Sequence, residues 1–473
     1  RFRFVMEVVR LVVLSALFGE YFLSLLAEVL QYRALGQPLP ADFRDTFDDA
    51  KYVAAQQYAR ARSLLSASRA TFDLLLLLLA WFALRLFERL DVFVRGVFPS
   101  DDPWAVVPRG ILYWGALAGL ATILDLPHAV YSTFVLEARF GFNNTTVRTF
   151  IMDRVKGLML ALVLGPPMGA AVLAFFTFAG DAAWLWVWLA LTAFQLLLLF
   201  IAPACIMPLF ISFTPLEDGP LKRAIHEYAS QVGFAFGGIF QVDGSTRSNH
   251  SNAFFTGFGA TKRIALFDTL IAQTTLPELV AILAHEVGHE KRGHIKQSLA
   301  FSVLYLFVML YLVSLFISYT PLFTAFFVST PSVYVGLLLF QMLFAPLDTF
   351  LQIVLSARSR ANEFEADRYS VETYKQPEAL ISGLKKLTRE NLSNLTPHPL
   401  YVFLHYSHPP VVERIAAIRR HHLEAPLFAT PPPPLPSTAR AKSPPKRASR
   451  RAVGVGASPA RRPARGARSP RRR

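Results

Sequence analysis

His285-Glu286-Val287-Gly288-His289 stands in the second half of a 473-residue chain. On a helix, residues four apart share a face, so the two imidazoles can converge on one metal ion. Glu286, one residue past the first histidine, reaches toward water at that metal rather than the metal itself. Two nitrogen ligands and a carboxylate base are what zinc-assisted peptide hydrolysis requires. The competing reading is a helix with two surface histidines flanking a glutamate. Against it stand an apolar lead-in (Leu279, Val280, Ile282, Leu283) and a marked helix start. Thr275-x-x-Glu278 fits a capping box, with Pro277 in the first turn.

A third ligand must come from elsewhere. A metzincin extension needs a glycine at position 292 and a histidine at 295, where the chain has Arg292 and Ile295, so that class is excluded. His294, five residues past His289 and off the shared face, reads as structural or solvent-facing. In Asn362-Glu363-Phe364-Glu365-Ala366-Asp367, Glu363 and Asp367 are four apart on one face. One of them can ligate zinc while the other orients a ligand histidine. Glu365 points roughly the opposite way, and a plain charged helix face is the alternative reading of the segment. The single cysteine, Cys205, rules out a multi-cysteine zinc site and an intramolecular disulfide.

The elements that must position these groups are membrane helices. The chain is 53% hydrophobic, and a mean hydropathy of +0.37 is too apolar for an ordinary soluble enzyme. Apolar runs near the 20 residues needed to cross a bilayer occur at 11–30, 72–87, 111–136, 157–179, 183–213, 298–319 and 332–355. Asp73 and Arg85 read as helix-end groups, whereas Glu20 and Asp125 point to an internal cavity or partner helix. The first run lacks a small-residue cleavage pattern and reads as a retained membrane helix.

Formal charge is +15, but 426–473 holds 13 Lys and Arg and no acid, which leaves +2 on 1–425. The charge therefore marks a tail and not a nucleic-acid-binding body. Seven spans put the termini on opposite sides. Basic residues before the second and fourth spans (Arg44, Arg60, Arg62; Arg139, Arg148, Lys156) place the C-terminus and the 214–297 segment in the cytoplasm. The sequons at Asn143 and Asn144 then stay unmodified.

Five segments result: an N-terminal membrane domain, 1–213; the first part of a peptidase domain, 214–297; two further spans, 298–357; the second part of the peptidase domain, 358–425; and a disordered basic tail, 426–473, whose Ser-Pro steps and charge fit phosphorylation and anionic lipid. Within 214–297 the pattern predicts a helix at 221–231, strands at 238–242, 252–256 and 263–270, the last two joined as a hairpin through Gly257 and Gly259, and then the capped helix. The expected fold is predominantly α, a polytopic membrane protein with about seven spans and a gluzincin-like zinc peptidase domain carrying a small β-sheet.

The combination of HEVGH with a later Glu-x-x-x-Asp helix, interleaved with spans, resembles the CAAX prenyl protease family of integral-membrane zinc metalloendopeptidases. Further stretches are similar to that family in the same order: Leu126-Pro127 to Val135, Gly141-Phe142-Asn143, Phe213-Thr214-Pro215-Leu216, Arg247 to Phe254, Lys262–Leu270, and His405-Tyr406-Ser407-His408-Pro409-Pro410 to Arg414. The resemblance runs from about Leu11 to Arg420 and leaves the tail outside. It implies His285, His289 and Glu363 as ligands of one zinc ion, Glu286 as base and proton shuttle, and Asp367 as the partner of a ligand histidine. It also implies His408 and Arg414 beside the developing oxyanion, and Asn252 and Ala253 on a substrate-binding edge strand. The implied substrates are prenylated CAAX proteins or peptides, reached from the lipid bilayer, in the endoplasmic reticulum of a eukaryote or the inner membrane of a bacterium. A membrane quality-control zinc peptidase and a non-enzymatic lipid-binding scaffold are the rival functions.

Overall fold

The computed structural model describes residues 2–257 and 262–424; the basic tail and Gly259 of the expected hairpin turn lie outside the described residues. The helices are Phe2–Ala34 (α1), Asp49–Leu78 (α2), Leu86–Val97 (α3), Val106–Tyr131 (α4), Val147–Phe178 (α5), Ala183–Ile201 (α6), Pro220–Gln231 (α7), Asp268–Gln273 (α8), Leu276–Lys291 (α9), His294–Phe316 (α10), Thr320–Ala325 (α11), Val333–Tyr374 (α12), Pro377–Glu390 (α13), Pro399–His405 (α14) and Val411–Glu424 (α15). Seven of these, α1, α2, α4, α5, α6, α10 and α12, with their short π and 3₁₀ extensions, are long and apolar enough to span a membrane. The protein is a multi-pass membrane protein.

Several helices outrun the bilayer. Helix α12 has 42 residues, about 63 Å at 1.5 Å per residue, twice the roughly 30 Å hydrocarbon layer. Its apolar first half is the seventh span, and its charged second half carries Glu363 and Asp367 beyond it. Helix α2 overruns in the same way. Expected as a short span at 72–87 behind a charged loop, it begins at Asp49, so Lys51, Arg60, Arg62 and Arg69 sit on helical turns. Hydropathy marks only the part in lipid, while the Ala, Gln and Arg residues before it are good helix formers and continue the helix. The span ends in a π turn at Ala83, and Arg85 (φ 46°) turns the chain into α3, which holds Phe87. Asp73 bonds to Arg69 at 2.7 Å one turn away, and Arg69 also pairs with Asp125 of α4.

The sheet has four strands, β1 (Phe213–Pro215), β2 (Gly238–Val242), β3 (Ala253–Thr256) and β4 (Arg263–Phe267), in the order β1-β2-β4-β3. β2 and β4 are parallel, and the other pairs are antiparallel. β1 had no signal in the sequence. The fourth strand ends at Phe267 instead of 270 because Asp268 opens α8, its carboxylate accepting from the Ser245 and Thr269 N–H groups at 3.0 and 2.8 Å. The third begins at Ala253 rather than Asn252.

One face of α9 (Leu279, Val280, Leu283, Ala284, Val287) packs with Ile239, Ile264 and Leu266 of the sheet and with Ile225 and Tyr228 of α7. A second core joins Phe43, Phe47, Tyr52 and Tyr58 to Leu380, Ile381 and Leu384 of α13 and Ile415 and Ile418 of α15. The start of α2 is thereby embedded among peptidase helices.

The expected capping box forms: the Glu278 carboxylate accepts from the Thr275 N–H at 2.7 Å. It also receives Ser382 Oγ at 2.5 Å and Lys386 Nζ at 2.7 Å, tying α9 to α13. Burial pushes this carboxyl up, but Lys386, Ser382 and the Thr275 N–H outweigh it and hold it below the usual carboxylate range. A group lowered in the folded state stabilises above its unfolded pKa and loses that contribution as pH falls through its folded value. Glu278→Gln should cost about 2 kcal/mol at neutral pH. In detergent melts, its deficit against wild type should shrink as the pH is taken below about 4.

Candidate active site

Helix α9 crosses α12 at Gly288 and Ala366. A Cβ on Gly288 would sit 3.1 Å from the Ala366 Cα and carbonyl oxygen and 3.1 Å from the Tyr369 Cβ. The glycine inside HEVGH is thus a contact point between two backbones. This approach sets the histidine face of α9 against the carboxylate face of α12.

His285 Nε2 and His289 Nε2 are 3.1 Å apart. Glu363 Oε2 lies 3.4 Å from His285 Nε2 and Oε1 3.2 Å from His289 Nε2. Among the described residues these three form a group able to hold a metal ion. Donors at 2.0–2.1 Å from a tetrahedral zinc ion stand about 3.4 Å from one another, so the set fits. A further observation favours a cation. Glu363 Oε2 is buried without a well-aligned hydrogen bond, although Arg414 Nη1 is 3.1 Å away. Burial and the Arg414 charge both pull His285 down, yet Asp367 and Glu363 raise its imidazole to about 9.

Asp367 stands behind His285, with Oδ1 2.9 Å from Nδ1. Arg414 grips the same carboxylate through Nε at 2.8 Å and Nη2 at 2.7 Å. Nε and Nη2 of Arg414 are thereby committed to Asp367, and its Nη1, 3.1 Å from Glu363 Oε2, is the edge left toward the cavity. His408 is freer: its side chain is 65% exposed, with Nε2 3.3 Å from Glu363 Oε1 and Nδ1 3.0 Å from Ser407 Oγ. Glu286 faces the same space, and burial raises its carboxyl above the usual range while the two histidines draw it down.

Apart from Asp367, these groups line a cavity of about 490 Å³ with Asn252 and Ala253 on one wall and Ile282, Leu380, Leu384 and Leu387 on another. β3 is an edge of the sheet. Its Asn252 carbonyl accepts from Phe267 N–H at 3.1 Å, so Ala253, next along, turns its main-chain groups to the open side. The Ala253 N–H is met there by the Asn252 Oδ1 at 2.8 Å. Phe254 and Phe255 pack against Phe267 and Phe234, away from the chemistry. Eight of the nine site residues named from the sequence line this cavity, and the ninth, Asp367, stands behind His285.

Other residues of the site carry no motif. Asn391 accepts from the Ser251 N–H at 3.0 Å and donates to the Ser251 carbonyl at 3.3 Å, clamping the chain just ahead of β3. His250 stacks on Phe142 and reaches Asn391 and Glu137. Their function lies in contacts across more than 100 residues, which no local pattern records. His294 is buried, with Nδ1 2.9 Å from His289 Nδ1.

The fold and this donor set define an integral-membrane metallopeptidase. Residues 28–212 match the family model described as the CAAX prenyl protease N-terminal, five membrane helices, and residues 215–422 match peptidase family M48. CAAX prenyl protease 1 of Saccharomyces cerevisiae is 37% identical over 418 residues, 82% of this chain and 90% of the relative. The Arabidopsis thaliana CAAX prenyl protease 1 homolog is 42% identical over 306 residues, 64% of this chain and 72% of that one. The crystal structure of S. mikatae Ste24p superimposes with a TM-score of 0.80 at 32% identity, covering 87% of this chain and 99% of that one. The chain belongs to the CAAX prenyl protease family of M48 metallopeptidases.

Gly288→Ala should force α9 and α12 apart by a few tenths of an ångström against backbone that has little room to yield, costing about 1–3 kcal/mol. Metal content after purification and the thermal midpoint should both fall. Wild-type values for both would show that the crossing has slack.

Proposed function

We propose that this protein is a zinc endopeptidase that removes the C-terminal tripeptide from prenylated CAAX proteins. The observation that carries the reading is a His-His-Glu donor set with a half-buried carboxylate, Glu286, in a cavity walled by an open strand edge. His285, His289 and Glu363 would hold the zinc ion, which supplies Lewis acidity to the scissile carbonyl and acidifies a water molecule. Glu286 takes the proton from the attacking water and returns it to the leaving amine, a task suited to a carboxyl whose burial has raised its proton affinity. His408 donates to the oxygen that gains charge, and the Nη1 edge of Arg414 adds positive potential there. Asp367 fixes the ring of His285, and Arg414 neutralises Asp367. The substrate backbone adds to β3 as a further strand, hydrogen-bonded at Ala253 with Asn252 beside it.

The names of the relatives support the substrate class, and the membrane setting supports the lipid. An isoprenoid leaving the bilayer forfeits about 0.8 kcal/mol per CH₂, so a site served by helices that run on from the spans favours a substrate that stays anchored. The proposed divisions are those at 213, 297, 357 and 425, with the zinc domain on the cytoplasmic side of the endoplasmic reticulum membrane, a sidedness supported by the basic residues of the connections.

Glu286→Gln should retain one zinc per chain and lose about 10²–10⁴-fold in kcat on a farnesylated CAAX peptide. Undiminished cleavage by this variant would sink the mechanism. Chelation should abolish activity, and the unprenylated peptide should be cleaved far more slowly. Equal cleavage of an unlipidated unfolded protein would favour a quality-control peptidase instead. Ala253→Pro, which removes the strand-edge N–H, should raise KM several-fold, about the worth of one hydrogen bond.

A further inference from the structure

We infer that His294 and Glu365 are positioning residues for the ligand His289, acting as a two-step hydrogen-bond relay that fixes its tautomer; the inference rests on the metallopeptidase reading above. His289 points Nε2 into the donor set, 3.1 Å from His285 Nε2 and 3.2 Å from Glu363 Oε1. A neutral imidazole that offers the Nε2 lone pair to a cation carries its proton on Nδ1. That Nδ1 lies 2.9 Å from Nδ1 of His294. Two ring nitrogens at this distance share one proton, so His294 Nδ1 is the acceptor and its own proton resides on Nε2. His294 Nε2 is 3.2 Å from Glu365 Oε2, which accepts it. One proton arrangement satisfies all three groups.

The surroundings support a built arrangement. His294 is only 4% exposed, so water does not compete for its ring, whereas Glu365 is 44% exposed. The two rings meet edge to face at 71°. Gly293, at φ 74°, makes the left-handed turn between α9 and α10 that returns His294 to the side of His289. That turn is closed by Arg292 N–H to the Gly288 carbonyl at 2.9 Å and Gly293 N–H to the Glu290 carbonyl at 3.0 Å. Glu365 arrives on α12, two residues past Glu363. Each ligand histidine thus has its outer nitrogen held, His285 directly by Asp367 and His289 through His294. A ligand histidine whose outer N–H is held loses less orientational freedom on binding metal and is a stronger donor.

The test is zinc affinity of the full-length protein in detergent, measured by chelator competition, with the visible spectrum of the cobalt-substituted protein as a second readout. His294→Leu fills the space without an acceptor and should weaken zinc binding about 10–100-fold and shift the cobalt bands. His294→Gln, whose amide oxygen can accept from His289, should recover most of the affinity and the wild-type bands. Glu365→Leu, which frees the His294 tautomer without touching the α9–α10 turn, should weaken binding several-fold at an unchanged apo melting temperature. Wild-type affinity in His294→Leu, or Gln as weak as Leu at position 294, would overturn the relay. If His294→Leu does not fold, Glu365→Leu decides: wild-type affinity there overturns it. A wild-type protein that binds no zinc would instead overturn the metal-site reading on which the inference stands.

Discussion

Everything at the site depends on how closely α9 can lie across α12. The two histidines of α9 and the two carboxylates of α12 are each arranged by helical periodicity alone, but neither pair is a site until the helices touch. The backbone of Ala366 occupies the place where a side chain at position 288 would project. The absence of a Cβ there lets donor atoms on separate helices come within 3.2–3.4 Å of one another. Tyr369 and Ser370 consolidate the crossing, the Ser370 hydroxyl donating to the Ala281 carbonyl at 2.8 Å. The apolar back of α9 against the sheet and α7 keeps the helix from rotating its histidines out of the cavity.

That approach buries charge, and buried charge needs partners. Glu363 and Asp367 are both almost wholly inaccessible, and Arg414 from α15 stands between them with its fork on Asp367. Two carboxylates against one guanidinium leave a net negative pocket, and His285 answers by holding its proton to about 9 against burial and Arg414. A divalent cation satisfies the same imbalance. The residues that prepare the site for a metal therefore also explain why the cluster is tolerated in the interior: each member is held by the next, and removing one strands the others.

The membrane enters through helix length. A span that ended at the bilayer surface would hand its charged residues to a flexible loop. Here α12 continues as helix from Val333 to Tyr374, so the seventh span and the carboxylates share one element. The start of α2 does the same from the N-terminal side, packing its aromatic residues against α13 and α15, the helices that supply the apolar wall and Arg414. The loop at 140–146 grips the segment ahead of the edge strand, with Asn144 bonded to Asn249 at 2.7 Å and to the Arg247 carbonyl at 3.0 Å. The membrane helices are in this way part of the site's scaffold and not only its anchor.

Sequence alone determined whatever repeats locally. Seven apolar runs, the period-four pairs His285/His289 and Glu363/Asp367, the capping box at Thr275 and the β2 segment could all be read because helix, strand and bilayer each impose a short-range pattern. Where the pattern is mute it misleads: hydropathy sees lipid and not helix and so shortens α2, three residues are too few to mark β1, and the apolar run carries β4 past Asp268. His294 and Glu365 are peripheral on a linear pattern for the same reason, since a residue five positions on leaves the ligand face of a straight helix. Only the left-handed turn at Gly293 brings His294 back to His289. The tertiary structure likewise committed Arg414 to Asp367, gave Asn391 its hold on Ser251 and made a spacing glycine the point where two helices meet. These are contacts between residues tens to hundreds of positions apart, fixed by packing and burial, and a linear pattern does not carry them.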